Sequence, residues 1–503
     1  MMRSACWAAV LLLFASPAFA GSIRLRVVHT NDIHGWMMAR PDKKQKDRMI
    51  GGAAALASVI NDERKKGPTL VLDAGDWFQG TPEGSLPRGA AMAEIFNAIG
   101  HDAIVLGNHE FDYGQKVIEG LAAKISVPVL GANIKRASTG KIVKYARASI
   151  LKTVGGIKIG IFGLVTSNVP ILVFPNNVSG LHFDNEIEVA KGIVADLRGR
   201  GAEIVIALNH VGQEGPSRPP FKGDRALAAA VPGIDLIVGG HTHDAIPIPR
   251  PEPSGTLIVN AGSYLKTVGV VTIDFDSTTR KIVAKSGEVR QLWIDEVGQD
   301  REVLSIVERY RQKVGLELDV VIARAEVDLP QDHTRLSPMG GWLSDCLRKW
   351  TKTDIVIQNA GGIRSGLSAG PVRMRHMFEV FPFDNYLTTL YMRGSSIRKV
   401  LEHGVSYAPH IVQFSGLTMA WSDSSPRGGR VETVSVRGRQ LRDNEIYSVT
   451  TSDFVLQGGD GYKAFSEATD AVTTRDLVRD VLSWCARRYS PIQTPDLSRV
   501  KRK

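Results

Sequence analysis

Residues 106–112, Leu106-Gly107-Asn108-His109-Glu110-Phe111-Asp112, form the most informative segment of the chain. They follow the apolar run 103–106, which is typical of a buried strand, so their polar side chains are expected on a loop at the strand's carboxyl end. The glycine permits a sharp turn, and an amide oxygen, an imidazole and a carboxylate follow it. This set suits metal-assisted hydrolysis, although a single loop of this kind is also ordinary turn chemistry.

Four other predicted strands end in the same way, at 23–29, 69–72, 204–208 and 234–238. Predicted helices such as 53–65 and 90–99 alternate with them, which indicates an α/β fold whose strand-end loops meet at one sheet edge. Buried structural histidines are the ordinary alternative for each loop taken alone. We expect seven side chains to gather at this edge: Asp32, His34, Asp76, Asn108, His210, His241 and His243. Seven ligands exceed what one ion needs, so the economical arrangement is two divalent ions, such as Mn, Zn or Co, that share Asp76.

The first twenty residues have the pattern of a secretory signal peptide, with Arg3 before the apolar core 8–15 and small residues at the end. This core is shorter than the ~20 residues of a membrane span, so we predict an exported protein, periplasmic or secreted, with no stable membrane anchor. The net charge of +10 is spread without interleaved aromatic residues, which argues against a nucleic acid polymer as partner. Cys346 and Cys485 remain after cleavage, and the sequence leaves open whether they form a disulfide or stay as two buried thiols.

The polar blocks also occur in a recognisable order. They are Asn31-Asp32-Ile33-His34-Gly35, Gly75-Asp76, Gly107-Asn108-His109-Glu110-Phe111-Asp112, Asn209-His210 and Gly239-Gly240-His241-Thr242-His243. In this order they resemble the calcineurin-like metallophosphoesterases, and the chain is similar to their exported 5′-nucleotidase branch. The resemblance implies a four-layer α/β/β/α sandwich with a dimetal site at the sheet edge and a second α/β substrate-binding domain. It implies that one metal is held by Asp32, His34, Asp76 and His243, and the other by Asp76, Asn108, His210 and His241. His243 is a departure, because well-known members have Gln or Asn there, and this leaves the metal preference open.

The chain divides into a signal peptide at 1–20, a metallophosphoesterase domain at 21–290, a connecting helix or linker at 291–318, and a nucleotide-binding domain at 319–503. The apolar spacing within 300–314 is helical. In the second domain a predicted strand at 354–357 leads into Gln358-Asn359-Ala360-Gly361-Gly362-Ile363-Arg364, where backbone N–H groups and an arginine suit a phosphate. A plain glycine turn with a surface arginine is the alternative. The resemblance implies that Asn359 and Arg364 orient the substrate, that Phe414 and Phe454 sandwich the base, and that Asp460 accepts from ribose hydroxyls.

The resulting hypothesis is hydrolysis of the 5′-phosphate of a nucleotide by attack of a metal-bridging hydroxide. His109, oriented by Asp112, is expected to stabilise the phosphoryl oxygens and to protonate the leaving group. Within the superfamily, the alternatives are a nucleotide-sugar pyrophosphatase, a 2′,3′-cyclic nucleotide phosphodiesterase and a thiosulfohydrolase. An exported binding protein without catalysis is the alternative from another class. The substrate partner is a nucleotide or nucleotide sugar, and the sequence does not indicate an oligomeric state.

Overall fold

A computed structural model describes residues 21–42, 44–45, 47–213, 223–408 and 410–503. The predicted signal peptide at 1–20 therefore lies outside the described residues. Every helix within these ranges is too short or too polar to span a lipid bilayer.

Two β-sheets form the centre of the first domain. The first contains, in spatial order, Lys281–Gln291, Thr267–Asp276, Ser22–Thr30, Thr69–Asp73, Ala103–Val105 and Val129–Leu130. The second contains Leu257–Val259, Leu236–Gly239, Ile204–His210, Ile157–Val165 and Ser149–Val154. Strand Ser22–Thr30 is parallel to Thr69–Asp73, and Ile204–His210 is parallel to Leu236–Gly239. Their carboxyl ends therefore open towards the same edge of each sheet, as the sequence predicted.

Apolar strands are explained by burial on both faces of each sheet. Val27 packs between the two sheets, whereas its neighbour Val28 packs against helices on the outer face of the first sheet. The second sheet is covered in the same way by helices that carry Val194 and Leu227. Full burial of such a side chain contributes ~1.5–3 kcal/mol, which favours continuous apolar runs in these strands. The predicted four-layer α/β/β/α sandwich is thus confirmed.

Two helices of this domain, Ala53–Lys66 and Ala90–Ile99, lie where the sequence predicted them. The other α-helices within the described residues are Pro82–Ser85, Gln115–Ala122, Val169–Leu172, Glu186–Gly199, Asp224–Ala230 and Ile294–Val297. Short antiparallel pairs are formed by Arg40–Pro41 with Met49–Ile50, and by Ile134–Arg136 with Leu181–Phe183.

A single helix, Arg301–Val314, leads from the first domain to the second. It begins after Asp300, whose side chain accepts a hydrogen bond from the Val303 amide at 3.0 Å. Val303, Ile306 and Val307 are buried in the core formed with helices Ala53–Lys66 and Ala90–Ile99. The connector is therefore fixed to the first domain, and any flexibility between the domains must lie after it.

The second domain is built on a five-stranded sheet, with strand order Gln413–Ser415, Ile355–Gln358, Ile446–Ser452, Tyr386–Arg393 and Thr469–Leu477. A four-stranded sheet contains Arg439–Gln440, Val431–Val436, Leu417–Trp421 and Val500–Arg502, and a two-stranded one contains Val321–Ala325 and Gly370–Arg373. The helices are Pro338–Thr351, Met374–Val380, Gly394–Ser406, Asp453–Leu456 and Val478–Arg488. Helices Pro338–Thr351 and Val478–Arg488 are joined by a disulfide between Cys346 and Cys485, which decides the alternative that the sequence left open.

Candidate metal centre and facing cavity

Two groups of potential ligands lie side by side at the carboxyl edge of the sheets. Asp32, His34 and His243 form one group, and Asp76, His210 and His241 form the other. Within each group the ligand atoms lie within 4.8 Å of one another. Asp76 Oδ2 lies 3.0 Å from His210 Nε2 and 3.7 Å from His34 Nε2, so this carboxylate reaches both groups. The structure therefore brings together residues that are more than two hundred positions apart.

An unsatisfied polar atom indicates that these groups fit cations. The side-chain oxygen of Asn108 is buried without a hydrogen-bond partner among the described residues. Buried polar atoms without partners are rare in folded proteins, and an amide oxygen can serve as a metal ligand. Burial lowers the pKa of His210, but the adjacent Asp76 carboxylate outweighs it and raises this pKa to about 10. The centre therefore favours positive charge.

Backbone carbonyl groups orient two of the imidazoles. Nδ1 of His34 lies 2.7 Å from the Gln79 carbonyl oxygen, and Nδ1 of His210 lies 2.7 Å from the Ala74 carbonyl oxygen. Because a carbonyl can only accept, each Nδ1 carries a proton, and each Nε2 is the ring nitrogen that faces the centre. This arrangement is the usual support for a metal-binding histidine.

The loops achieve this convergence through an unusual backbone conformation. Five of the predicted ligands have positive φ angles between 50° and 77°: Asp32, His34, Asp76, His241 and His243. Asp32 and His34 follow the end of strand Ser22–Thr30 in left-handed conformations, so their convergence does not come from a shared face of an extended segment. Such conformations are costly for non-glycine residues and concentrate at functional sites, where the surrounding contacts hold them.

Two supporting side chains were not assigned a role from the sequence. The Glu110 carboxylate accepts backbone N–H groups of Asp76, Trp77 and Gly107 at 2.7–3.0 Å, so it joins two of the loops. Asn31 donates to Asp32 Oδ2 at 2.6 Å and accepts from the Ala261 amide at 2.9 Å. Glu110 and Asn31 both stand inside the polar motifs of the sequence, but their partners are mainly backbone groups from distant segments.

His109 and Asp112 form a pair beside the metal ligands. Nδ1 of His109 lies 2.7 Å from Asp112 Oδ2, which leaves Nε2 available to a molecule in the cavity. The His109 amide also donates to Asp76 Oδ1 at 2.9 Å. Burial lowers the pKa of His109, but Asp112 and Asp76 outweigh it and the net shift is upward. The pair is therefore suited to hold a proton and to donate it.

A cavity of about 360 Å³ connects this centre with the second domain. Asn359, Arg364, Phe454 and Asp460 line it from the second domain. The Arg364 guanidinium lies 3.1 Å from His34 Nε2, and the Asn359 amide donates to Asp460 Oδ2 at 2.7 Å. Four of the five predicted substrate contacts thus face the same space as the predicted metal ligands.

The fifth contact, Phe414, is placed differently from its prediction. Its side chain is fully buried in an apolar core with Ile357 and Val449, and it does not line the cavity. Phe414 stands opposite Ile357 in an antiparallel strand pair, and this register directs its ring into the core. The predicted stacking role of Phe414 is therefore wrong.

Comparisons with known proteins agree with this architecture. A model described as calcineurin-like phosphoesterase matches residues 25–245, and one described as 5′-nucleotidase, C-terminal domain, matches residues 317–467. The chain is 28% identical to a 5′-nucleotidase of Vibrio cholerae, over 93% of this chain and 91% of that protein. It is 27% identical to the 5′-nucleotidase of Bos taurus, over 88% and 84% respectively. The crystal structure of a 5′-nucleotidase precursor from Thermus thermophilus superposes with a TM-score of 0.88 at 28% identity, and covers 95% of this chain and 99% of that one.

The fold and the paired ligand groups define a calcineurin-like metallophosphoesterase, which is a metal-dependent hydrolase. With its second domain, the chain belongs to the 5′-nucleotidase family.

Proposed function

We propose that this protein is an exported phosphohydrolase that uses two divalent metal ions to remove the 5′-phosphate from nucleotides. The observation that carries the proposal is the 3.1 Å approach of Arg364 to His34 within one cavity. This contact places the ligand groups of the first domain, which suit metals and phosphate, in the same cavity as the residues of the second domain that suit ribose and base. The family relatives named 5′-nucleotidase support the same substrate class.

At the phosphate end, the metals would be held by Asp32, His34, Asp76, Asn108, His210, His241 and His243. When bound, the two ions supply an activated water molecule and neutralise the charge of the phosphate. Arg364 can grip a phosphate oxygen through its planar guanidinium. His109, held by Asp112, directs Nε2 to the same space and can protonate the leaving alkoxide.

At the nucleoside end, Asp460 offers carboxylate oxygens to ribose hydroxyls, and Asn359 fixes its orientation by the 2.7 Å hydrogen bond. The ring of Phe454 contacts Phe174 of the first domain edge to face, with centroids 5.6 Å apart. The cavity of about 360 Å³ is at the lower end of the ~300–1,000 Å³ typical of ligand sites. This size favours a mononucleotide over a larger nucleotide sugar.

Export of the protein is supported by two independent features. The sequence begins with the pattern of a signal peptide, and the second domain contains the Cys346–Cys485 disulfide. Disulfides persist in oxidising compartments such as the periplasm or the extracellular space. We therefore infer that the enzyme acts on nucleotides outside the cytoplasm.

The test is phosphate release from a panel of substrates by protein reloaded with Mn²⁺. AMP, UDP-glucose, 2′,3′-cyclic AMP and a thiosulfonate represent the proposed function and its alternatives. We expect AMP to give the highest kcat/KM. Preference for UDP-glucose or the cyclic nucleotide would reassign the enzyme within its superfamily, and binding of AMP without turnover of any substrate would indicate a binding protein.

A further inference from the structure

A group of aromatic rings lies on the surface of the second domain, outside the cavity. It consists of Trp350, Trp484 and Tyr489, none of which lines the cavity. The ring centroids of Trp350 and Trp484 are 4.9 Å apart, and those of Trp484 and Tyr489 are 5.8 Å apart. Trp484 is 39% exposed, which makes it the most exposed tryptophan among the described residues, and Tyr489 is 38% exposed.

Four exposed cations accompany these rings: Lys349, Lys352, Arg487 and Arg488. They stand at the carboxyl ends of two helices, Pro338–Thr351 and Val478–Arg488, or directly after them. The Lys349 ammonium lies 4.3 Å from the centre of the Tyr489 ring, and the Arg488 guanidinium lies 5.7 Å from it. None of the four forms an ion pair with an acid among the described residues. These four cations and the three rings together form what we name the aromatic–basic patch.

The patch is held in a fixed shape. A disulfide between Cys346 and Cys485 joins the two helices that carry it. The indole N–H of Trp350 donates to Asp476 Oδ2 at 3.0 Å, so this half-buried ring is a fixed support for the exposed ring of Trp484. A surface that is ordered in advance loses little conformational entropy when it binds a partner.

The patch carries a net positive charge. The nearest acids in sequence are Asp476, which accepts from Trp350, and Asp480, which lies one turn before Trp484 and about 12 Å along the helix axis from Arg488. Four cations therefore outnumber two acids. Cations at the carboxyl end of a helix are also favoured by its dipole. The dipole does not explain why two large aromatic side chains beside them are exposed.

We propose that the aromatic–basic patch binds reversibly to an anionic lipid surface. Tryptophan and tyrosine are enriched at membrane interfaces, because each has a large apolar ring with a polar N–H or O–H group that stays hydrated. Lysine and arginine beside them are attracted to anionic headgroups. The patch is thus complementary to such a surface in both charge and polarity. This inference goes beyond the proposed hydrolysis of nucleotides, because it concerns where the enzyme is held.

The orientation of the rings favours a lipid surface over single-stranded nucleic acid. The planes of Trp350 and Trp484 are inclined by 71°, and those of Trp484 and Tyr489 by 85°. Successive bases of a nucleic acid stack on aromatic faces that the strand can follow. Rings that stand nearly perpendicular to one another do not provide such a row of faces, whereas insertion among headgroups does not require one.

The test is co-sedimentation of the mature protein with lipid vesicles. Vesicles of phosphatidylcholine alone are compared with vesicles that contain equal parts of phosphatidylcholine and phosphatidylglycerol, which is anionic. We expect binding to the anionic vesicles only. Binding should be lost at ~1 M NaCl, where the Debye length falls to ~3 Å and the attraction of the cations is screened.

Substitutions identify the patch as the binding site. The double variant Arg487→Ala and Arg488→Ala should weaken binding about 25-fold, because each cation near an anionic surface contributes roughly fivefold. Trp484→Ala should weaken it about 10-fold through the loss of buried apolar surface, whereas Trp484→Phe should keep most of the binding. The matched control is the double variant Lys141→Ala and Lys144→Ala, which removes the same charge from exposed positions of the first domain. We expect this control to bind as the wild type does.

Thermal melting checks that each variant is folded, and phosphate release from AMP should be unchanged because the patch lies outside the cavity. The inference is overturned if the wild type binds neither kind of vesicle or binds both equally. It is also overturned if the patch variants bind as the wild type does, or if the lysine control loses as much binding as the arginine variant. Retention on heparin that depends on Arg487 and Arg488, without binding to vesicles, would assign the patch to an acidic polysaccharide and would likewise overturn the inference.

Discussion

The Glu110 carboxylate is the structural feature whose removal gives the sharpest test of the metal centre. Its Oε2 accepts the amides of Asp76 at 3.0 Å and Gly107 at 2.7 Å, and its Oε1 accepts the amide of Trp77 at 2.8 Å. Glu110 has no exposed surface. The substitution Glu110→Gln keeps the size of the side chain but replaces one acceptor oxygen with a donor.

The magnitude follows from these three bonds. If the amide oxygen of glutamine keeps Asp76 and Gly107, its NH₂ group faces the Trp77 amide, and an unpaired buried N–H costs ~1–3 kcal/mol. Burial and the nearby Asp76 carboxylate raise the pKa of Glu110 to about 8, so the other two bonds lose little charge at pH 7 when glutamine replaces it. We expect the free energy of unfolding to decrease by roughly 1–3 kcal/mol. Because Asp76 is then held less firmly, Mn²⁺ affinity should fall by about 10- to 100-fold.

Urea unfolding measures the first quantity, and equilibrium dialysis with Mn²⁺ measures the second. Glu119→Gln is the matched control, because Glu119 lies on the nearby surface and pairs with Arg136 there. We expect this control to unfold and to bind Mn²⁺ as the wild type does. The reasoning is refuted if Glu110→Gln keeps both the wild-type urea midpoint and the wild-type Mn²⁺ affinity.

Three further predictions concern other parts of the molecule. Asp76→Asn removes the carboxylate that reaches both ligand groups. Bound Mn²⁺, measured by mass spectrometry, should therefore fall from two ions per chain to one or none, and AMP hydrolysis should be lost. Two retained ions would contradict a shared ligand. Glu83→Gln removes the charge from the 2.9 Å pair of Glu83 and Arg375 between the domains, while Arg375 keeps its pair with Asp319, so the present domain arrangement should lose about 1–3 kcal/mol. X-ray scattering should show a larger radius of gyration, and steady-state kinetics should show a higher KM for AMP. If both values are unchanged, the Glu83–Arg375 pair does not hold the domains together. The double substitution Cys346→Ser and Cys485→Ser removes a disulfide between residues 139 positions apart, and it should lower the free energy of unfolding by about 2–5 kcal/mol. Equal urea midpoints for the variant and the oxidised wild type would refute this prediction.

Much of the first domain could be predicted because its signals are local. The apolar runs, the helical spacing and the polar residues after each strand are all visible within short windows, as in residues 103–112. Parallel strands then impose convergence of the loops, which is why distant residues such as Asp32 and His243 could be assigned to one centre.

The remaining features depend on register and on backbone partners, which short windows do not contain. Phe414 has the right chemistry for stacking, but its strand pairing with Ile357 directs it into the core. Glu110 acts through amides of two loops, and a sequence motif does not show which N–H groups a carboxylate accepts.

The residues of the site are divided between the two domains, and this division affects substrate selectivity. Both ligand groups are fixed by the first domain, whereas Asp460 and Phe454 are fixed by the second, and Arg364 is one of the residues that join the domains, at His34. Under the proposed function a nucleotide would bind both parts at once, so its affinity would be greater when the domains are together than when they are apart, and it would stabilise the arrangement with the domains together. A phosphate ester without a base contacts mainly the first part and contributes little to closure. Under the proposed function, the enzyme would therefore select nucleotides by requiring the whole substrate to hold the two domains together, without a separate recognition element at the metal centre.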